Sequence, residues 1–185
     1  MLRWIAVLYY VFAIGTAQAA PAHVVIFRHG EKPSTGSDLS PQGYRRAQAL
    51  VGYFADNPTI RALGKPAAVF AMSPHGPNGT LRPIETVTPL ADALGLSVVK
   101  DFEKKQVNQL VDRIMNDPTL DDQTVVICWE HSYILNIVQA FGYDSAPDVW
   151  LSSVFDRTWI LGFTGERVTS FQDVPQKLLS GDSTD

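Results

Sequence analysis

The sequence predicts an α/β fold: a three-layer sandwich with a mostly parallel sheet, helices on both faces, and a C-terminal antiparallel hairpin at the sheet edge. Three observations predict it. Short runs of apolar, β-branched residues alternate along the chain with stretches of helical periodicity. Those runs are apolar throughout, as befits strands of a parallel sheet buried on both sides. The last patterned stretch, "DRTWILGFTGERVTSF", turns at Thr164-Gly165-Glu166 and reads as two antiparallel strands.

The elements follow in order. "HVVIF" (23–27) is a short apolar strand ending on Arg28 and His29, and the polar loop "EKPSTGSD" follows. From Ser40 the chain reads as helix, with Ser40 as N-cap and Pro41 at the first helical position. Tyr44, Ala47, Leu50, Val51 and Phe54 recur at helical spacing and are expected to face the core. "AAVFAM" is the second strand, and the loop from Ser73 to Gly79 is rich in Pro and Gly. A second helix is expected to begin at Thr80 and stop at Gly95, kinked at Pro89. "LSVV" is a short third strand, and a helix is expected from about Val107 to Met115. "TVVICW" is the strongest strand, and "SYILNIVQAFG" after it is helical.

Residues 1–19 read differently. Arg3 precedes an apolar run from Trp4 to Ile14, and Ala17-Gln18-Ala19 places small residues at the −3 and −1 positions of a cleavage site. That is the pattern of a secretory signal peptide, and the run is shorter than the roughly 20 residues a membrane span requires. The expectation is a cleaved leader at 1–19 and a single catalytic domain at 20–185, working in the periplasm or secreted, with no stable membrane association. The chain has 185 residues, 45% hydrophobic and 18% charged, with a formal net charge of −4. The acidic excess argues against nucleic acid or an anionic membrane surface as partner, since either draws a basic field. Cys128 is the single cysteine and lies in an apolar run, where it reads as a small buried hydrophobe.

Open α/β sheets bind ligands outside the carboxyl ends of their strands. Arg28 and His29 follow the first strand, and Ser73 and a loop leading to Arg82 follow the second. Asp101 and Glu103 follow the third, and Glu130, His131 and Ser132 follow the fourth. Paired His and carboxylates can ligate zinc, but Arg28 and Arg82 would repel a dication, and neither H-x-H nor H-x-x-x-H spacing is present. No G-x-S-x-G elbow supports a serine nucleophile. Two Arg with two His instead make an anion site, because guanidinium forks match phosphate bidentately. Helix N-termini expected near Thr80 and Ser132 would add N–H groups and positive dipole ends. Neither a metal nor a cofactor is expected.

"FRHGEKP", "LSPQGYRRAQAL", "MSP…LRPIET" and "VVICWEHS", in this order, resemble the histidine phosphatase superfamily, also called the phosphoglycerate-mutase-like family. The resemblance runs from Val24 to His131, and "FDRTWIL" sits where that family ends its sheet. It implies that His29 is a nucleophile that becomes phosphohistidine, that Arg28 and Arg82 hold the phosphoryl oxygens, and that His131 joins them. Glu130 stands where the family usually has a small residue, and the loop before Arg82 is longer than its usual link. For the proton donor, Glu103 lies where one large branch of the family places its acid. Glu130 adjoins His131, but successive residues on an extended strand face opposite sides. Glu103 is therefore favoured over Glu130.

Other polar residues have plainer readings. Glu31 reads as a structural carboxylate, Glu85 as a helix-surface partner of Arg82, His75 as a solvated loop residue and His23 as exposed. Asp156 and Arg157 read as a local ion pair, and Trp150, Phe155 and Trp159 as core or rim. The expected activity is hydrolysis of a small phosphomonoester outside the cytoplasm, with Lys32, Lys104 and Lys105 favouring an anionic leaving group. A phosphotransferase or mutase of the same family, or a member that binds phosphate esters without turnover, are the alternatives.

Overall fold

A computed structural model describes residues 20–76 and 79–183. The expected leader at 1–19 lies outside the described residues, as do positions 77 and 78 of the loop after the second strand.

Six strands form one sheet: β1 (His23–Arg28), β2 (Pro66–Ala71), β3 (Val98–Val99), β4 (Thr124–Trp129), β5 (Arg157–Thr164) and β6 (Arg167–Pro175). Their order is β3-β2-β4-β1-β5-β6. β1, β4, β2 and β3 pair in parallel, whereas β5 runs antiparallel to β1 and to β6, so the expected hairpin forms the edge. Five α-helices connect the strands: α1 (Pro41–Asp56), α2 (Pro58–Arg61), α3 (Arg82–Leu94), α4 (Val107–Met115) and α5 (His131–Ala140).

Alternation along the strands splits the core in two. Val24, Ile26, Val125, Ile127 and Trp129 pack with Leu110 and Ile114 of α4 and Ile134 and Ile137 of α5. Val25, Phe27, Val126 and Cys128 face the other way, against Leu50 and Phe54 of α1 and Val87 and Leu90 of α3. This is why the strands read as apolar at every position. It also sets the site: after β1 the chain leaves over one face into α1, and after the adjacent β4 it leaves over the other into α5. Two neighbouring strands whose connections diverge open a crevice at their carboxyl ends.

Ser40 caps α1 as expected, its hydroxyl accepting from the Gly43 N–H at 3.1 Å, with Pro41 in the first turn. The buried stripe of α1 is Gly43, Arg46, Ala47, Leu50, Tyr53 and Phe54, with Val51 only half-buried and Tyr44 outside it. Tyr44 is 46% exposed and its hydroxyl donates to Glu85 Oε1 at 2.8 Å. Arg46 is only 2% exposed and takes a core-facing position. Its guanidinium reaches Glu31 and Asp182, each at 2.7 Å, and Gln176 Oε1 at 3.2 Å. The structural role expected of Glu31 is thus carried by Arg46. Glu85 is not an Arg82 partner; it also accepts from the Leu39 N–H at 2.8 Å and ties α3 to the loop before α1.

Three further corrections are local. α3 begins at Arg82 instead of Thr80, whose hydroxyl donates to the Ser37 carbonyl at 3.0 Å. α5 begins at His131, one residue before Ser132. Arg157 pairs across the hairpin with Asp173 at 2.7 Å, not with its neighbour Asp156, because antiparallel pairing brings the cross-strand carboxylate alongside.

Replacing Arg46 with Ala would strand two buried carboxylates and is expected to cost about 3–5 kcal/mol. Denaturant unfolding reads the loss, and Arg45→Ala, on the exposed side of the same turn, is expected to stay within about 0.5 kcal/mol.

Candidate active site

β1 carries its apolar run straight into two charged or titratable residues, and the structure buries both. Arg28 is 2% exposed and His29 is 3% exposed. Arg28 Nη1 donates to the Ser152 and Val154 carbonyls at 2.7 and 3.0 Å, and its guanidinium carbon lies 3.7 Å from the centre of the Phe155 ring. One side of the fork is thereby fixed, while Nε has no hydrogen-bond partner among the described residues. Burial lowers the Arg28 pKa to about 10, against the opposing pull of Glu130 and Glu31, so it remains a cation at neutral pH.

His29 is prepared differently. Its Nδ1 lies 2.7 Å from the Gly30 carbonyl oxygen, a contact that assigns the proton to Nδ1 and leaves Nε2 with a lone pair. Its pKa is pushed down to about 4. Burial is the main cause and the Arg28 and Arg82 charges add to it, while the bond to Gly30 opposes them. At neutral pH the ring is an uncharged imidazole.

The loop carrying His29 is clamped from two sides. The Gly30 N–H donates to Thr86 Oγ1 at 2.8 Å, and the Thr86 hydroxyl donates to the Arg82 carbonyl at 2.7 Å, linking the loop to the helix that bears Arg82. On the other side α1 comes so close that a Cβ on Gly43 would lie 2.5 Å from the Glu31 carbonyl oxygen. Only a glycine there permits this approach.

A cavity of about 270 Å³ opens at this point. Arg28, His29, Arg82 and His131 line it together with Lys32, Lys104 and one carboxylate, Glu130. Arg82 enters from the first turn of α3, with Nη1 3.4 Å from the Gly36 carbonyl and Nε without a hydrogen-bond partner among the described residues. His131 opens α5, and its Nδ1 likewise lacks a hydrogen-bond partner. Burial first, then the charge of Arg28, lowers its pKa. A groove of about 400 Å³ between α1 and α3 is larger, but it lies by Gly64 and Pro66 at the opposite end of the sheet and is lined mainly by apolar groups.

Of the five residues expected at the site, Arg28, His29, Arg82 and His131 share the cavity wall and Glu103 does not. Its backbone stays beside Ser73 in a single parallel bridge, and its N–H donates to Gln106 Oε1 at 2.7 Å. Its carboxylate meets Nδ1 of the exposed His75 at 2.6 Å. Glu130 takes the place in the wall. Glu130 is the N-cap of α5 with its backbone still extended, and the strand alternation is broken at His131, the first helical residue. Its Oε1 lies 3.7 Å from His131 Nδ1 and accepts from the Ser132 hydroxyl at 3.1 Å, and the carboxylate is ion-paired to Lys104. Thr86 and the carbonyls of Ser152 and Val154 had no signal in the sequence, since their roles arise from contacts distant along the chain.

No family model matches the sequence, and no curated protein matches it. Solved structures do. The protein histidine phosphatase SixA complexed with tungstate superposes with a TM-score of 0.57 at 14% identity, over 83% of this chain and 97% of that one. Phosphoglycerate mutase from Bacillus anthracis gives 0.57 at 9% identity, over 87% and 95%. Phosphoglycerate mutase from Plasmodium falciparum gives 0.51 at 15%, over 88% and 96%. The chain shares the fold of these solved phosphatase and mutase structures.

Proposed function

We propose that the protein is a phosphomonoester hydrolase that works through a phosphohistidine on His29. The observation that carries this reading is a buried, uncharged imidazole with Nε2 unprotonated, set in a cavity whose wall also carries Arg28, Arg82 and His131. Phosphoryl transfer asks mainly for position and for positive charge around the equatorial oxygens. A neutral imidazole can take the phosphoryl group covalently and yield it to water, dividing one difficult step into two. The like-folded histidine phosphatase was solved with tungstate, a tetrahedral oxyanion, which supports an anion role for this crevice.

The substrate phosphoryl lies between Arg28 and Arg82, with His131 on a further oxygen. His29 Nε2 attacks phosphorus as the ester P–O bond breaks, while Nδ1–H stays on the Gly30 carbonyl and keeps the ring oriented. Water then attacks the phosphohistidine, the P–N bond breaks, and phosphate leaves. We place this activity outside the cytoplasm, on the strength of the leader pattern in residues 1–19.

His29→Ala is expected to reduce turnover of p-nitrophenyl phosphate by ~10³-fold or more, with loss of an acid-labile phosphoenzyme on rapid quench. Full turnover by that variant would overturn the mechanism. Binding of phosphate esters by the parent chain without turnover would replace it with a binding role.

The His29 ring is expected to titrate near pH 4 in a ¹⁵N-resolved NMR titration, since burial and two cations favour its neutral form. The active form should therefore persist down to about pH 4, whereas an unperturbed imidazole would be lost near pH 6.5.

Expression with an intact export system should yield a mature chain beginning near Ala20 by mass. A mature N-terminus at Met1 would contradict the leader.

A further inference from the structure

The cavity holds more charge than a phosphoryl group uses. Arg28, Arg82 and His131 suffice for its oxygens, yet Lys32 and Lys104 also line the wall, and a carboxylate stands among these cations. Glu130 beside an anion site would repel the substrate, and Lys104 is held on Glu130 instead of facing the cavity alone. The two features make sense together if the pair opens when substrate arrives.

We propose that the substrate bears a second anionic group on its leaving side, that this group draws Lys104 off Glu130, and that the released Glu130 is the acid that protonates the leaving oxygen. The inference rests on the phosphohistidine reading above and specifies the substrate class and the proton source.

Lys104 is suited to the exchange. It lies in the loop before α4, its side chain is 42% exposed, and its ammonium is 5.2 Å from the Tyr133 ring centre. A lysine on a flexible stem can change partners without moving the backbone. Glu130 is suited to respond. Burial pushes its carboxyl up, but Lys104, the Ser132 hydroxyl and His131 together outweigh burial and hold it ionised in the free enzyme. The charged or titratable groups around it are Lys104 from the loop, His131 from α5, and Arg28 and His29 from the end of β1. Bound phosphoryl oxygens engage Arg28 and His131, and the second anion engages Lys104. Burial and the phosphoryl charge then dominate, and Glu130 takes up a proton.

The proton balance closes over one turnover. As the Nε2–P bond forms and the P–O bond breaks, the Glu130 proton passes to the leaving oxygen. As water attacks phosphorus and the P–N bond breaks, the water proton returns to Glu130. A substrate with a neutral leaving side leaves Lys104 on Glu130, and the donor stays ionised.

The test compares phosphoglycolate with its carboxamide, which lacks only the second charge, and uses p-nitrophenyl phosphate as a leaving group that needs no proton. For the full chain, kcat/KM for the carboxylate is expected to exceed that for the amide by ~30-fold, the scale of one charged contact. Lys104→Met should bring the two substrates to within about 3-fold of each other, the ordinary scatter once that contact is gone. Glu130→Gln should slow phosphoglycolate by ~10²-fold in kcat while slowing p-nitrophenyl phosphate far less, which also shows that the variant is folded. Equal rates for carboxylate and amide in the native chain, or a preference that survives Lys104→Met, would overturn the second anion. Equal slowing of alkyl and nitrophenyl esters in Glu130→Gln would overturn the donor. His29-dependent turnover of p-nitrophenyl phosphate alongside either result would leave the phosphohistidine reading standing, so the two failures are distinguishable.

Discussion

The molecule is organised around a buried cation that has no carboxylate of its own. Arg28 closes the central strand, and its charge is met by two backbone carbonyls and the face of a phenyl ring. Carbonyl dipoles and a ring quadrupole recover part of the hydration a guanidinium gives up on burial, but not all of it. The lowered pKa of Arg28 records the deficit. An anion at the strand end would make up that deficit, as the proposed function requires. The segment from Ser152 to Phe155 is held against β1 by the same contacts, so loop placement and site electrostatics share one cause.

Arg46 shows the contrast inside the same protein. It is as deeply buried as Arg28, yet its five N–H groups are spent on Glu31, Asp182 and Gln176. Burial works against its charge, and the two carboxylates outweigh burial and raise its pKa, opposite in direction to Arg28. The cation with its counter-ions supplied is structural. It joins the turn at Asp182 to the residue two positions after His29, and so holds the loop that carries His29. The cation left short of counter-ions lines the cavity. Composition cannot separate the two roles; partner count does.

This difference also marks how much was legible in the sequence. The strands and the hairpin were readable because burial on both faces leaves an unbroken apolar run, and the crevice followed from connectivity. Arg28, His29 and His131 were readable because each lies at or just after a strand end, and Arg82 because it opens the helix that follows the loop after β2. Arg46 and Tyr44 were misplaced because helical periodicity registers apolar residues, and a buried arginine neutralised by distant carboxylates looks like a surface one. Glu103 and Glu130 depended on one backbone step. Glu130 keeps an extended backbone, with φ −84° and ψ 133°, and the chain leaves the pleat one residue later, where His131 opens α5. Caps of that kind have no hydrophobic pattern to betray them.

The acidity of the chain as a whole bears on what reaches this crevice. A formal charge of −4 spread over the protein repels extended polyanions, whose charge must be met over a wide surface. The cavity wall carries the opposite sign, with Arg28, Arg82, Lys32 and Lys104 facing a volume of about 270 Å³. A small anion can enter that local field without meeting much of the acidic exterior, while a nucleic acid or an anionic membrane meets both. Selection by size then needs no lid. The single carboxylate in the wall refines it further: Glu130 occupies the charge of Lys104 until a ligand supplies a better partner. A cavity built only of cations would bind phosphate, substrate and product with little distinction, and one carboxylate among them turns occupancy into a condition on the ligand's second charge.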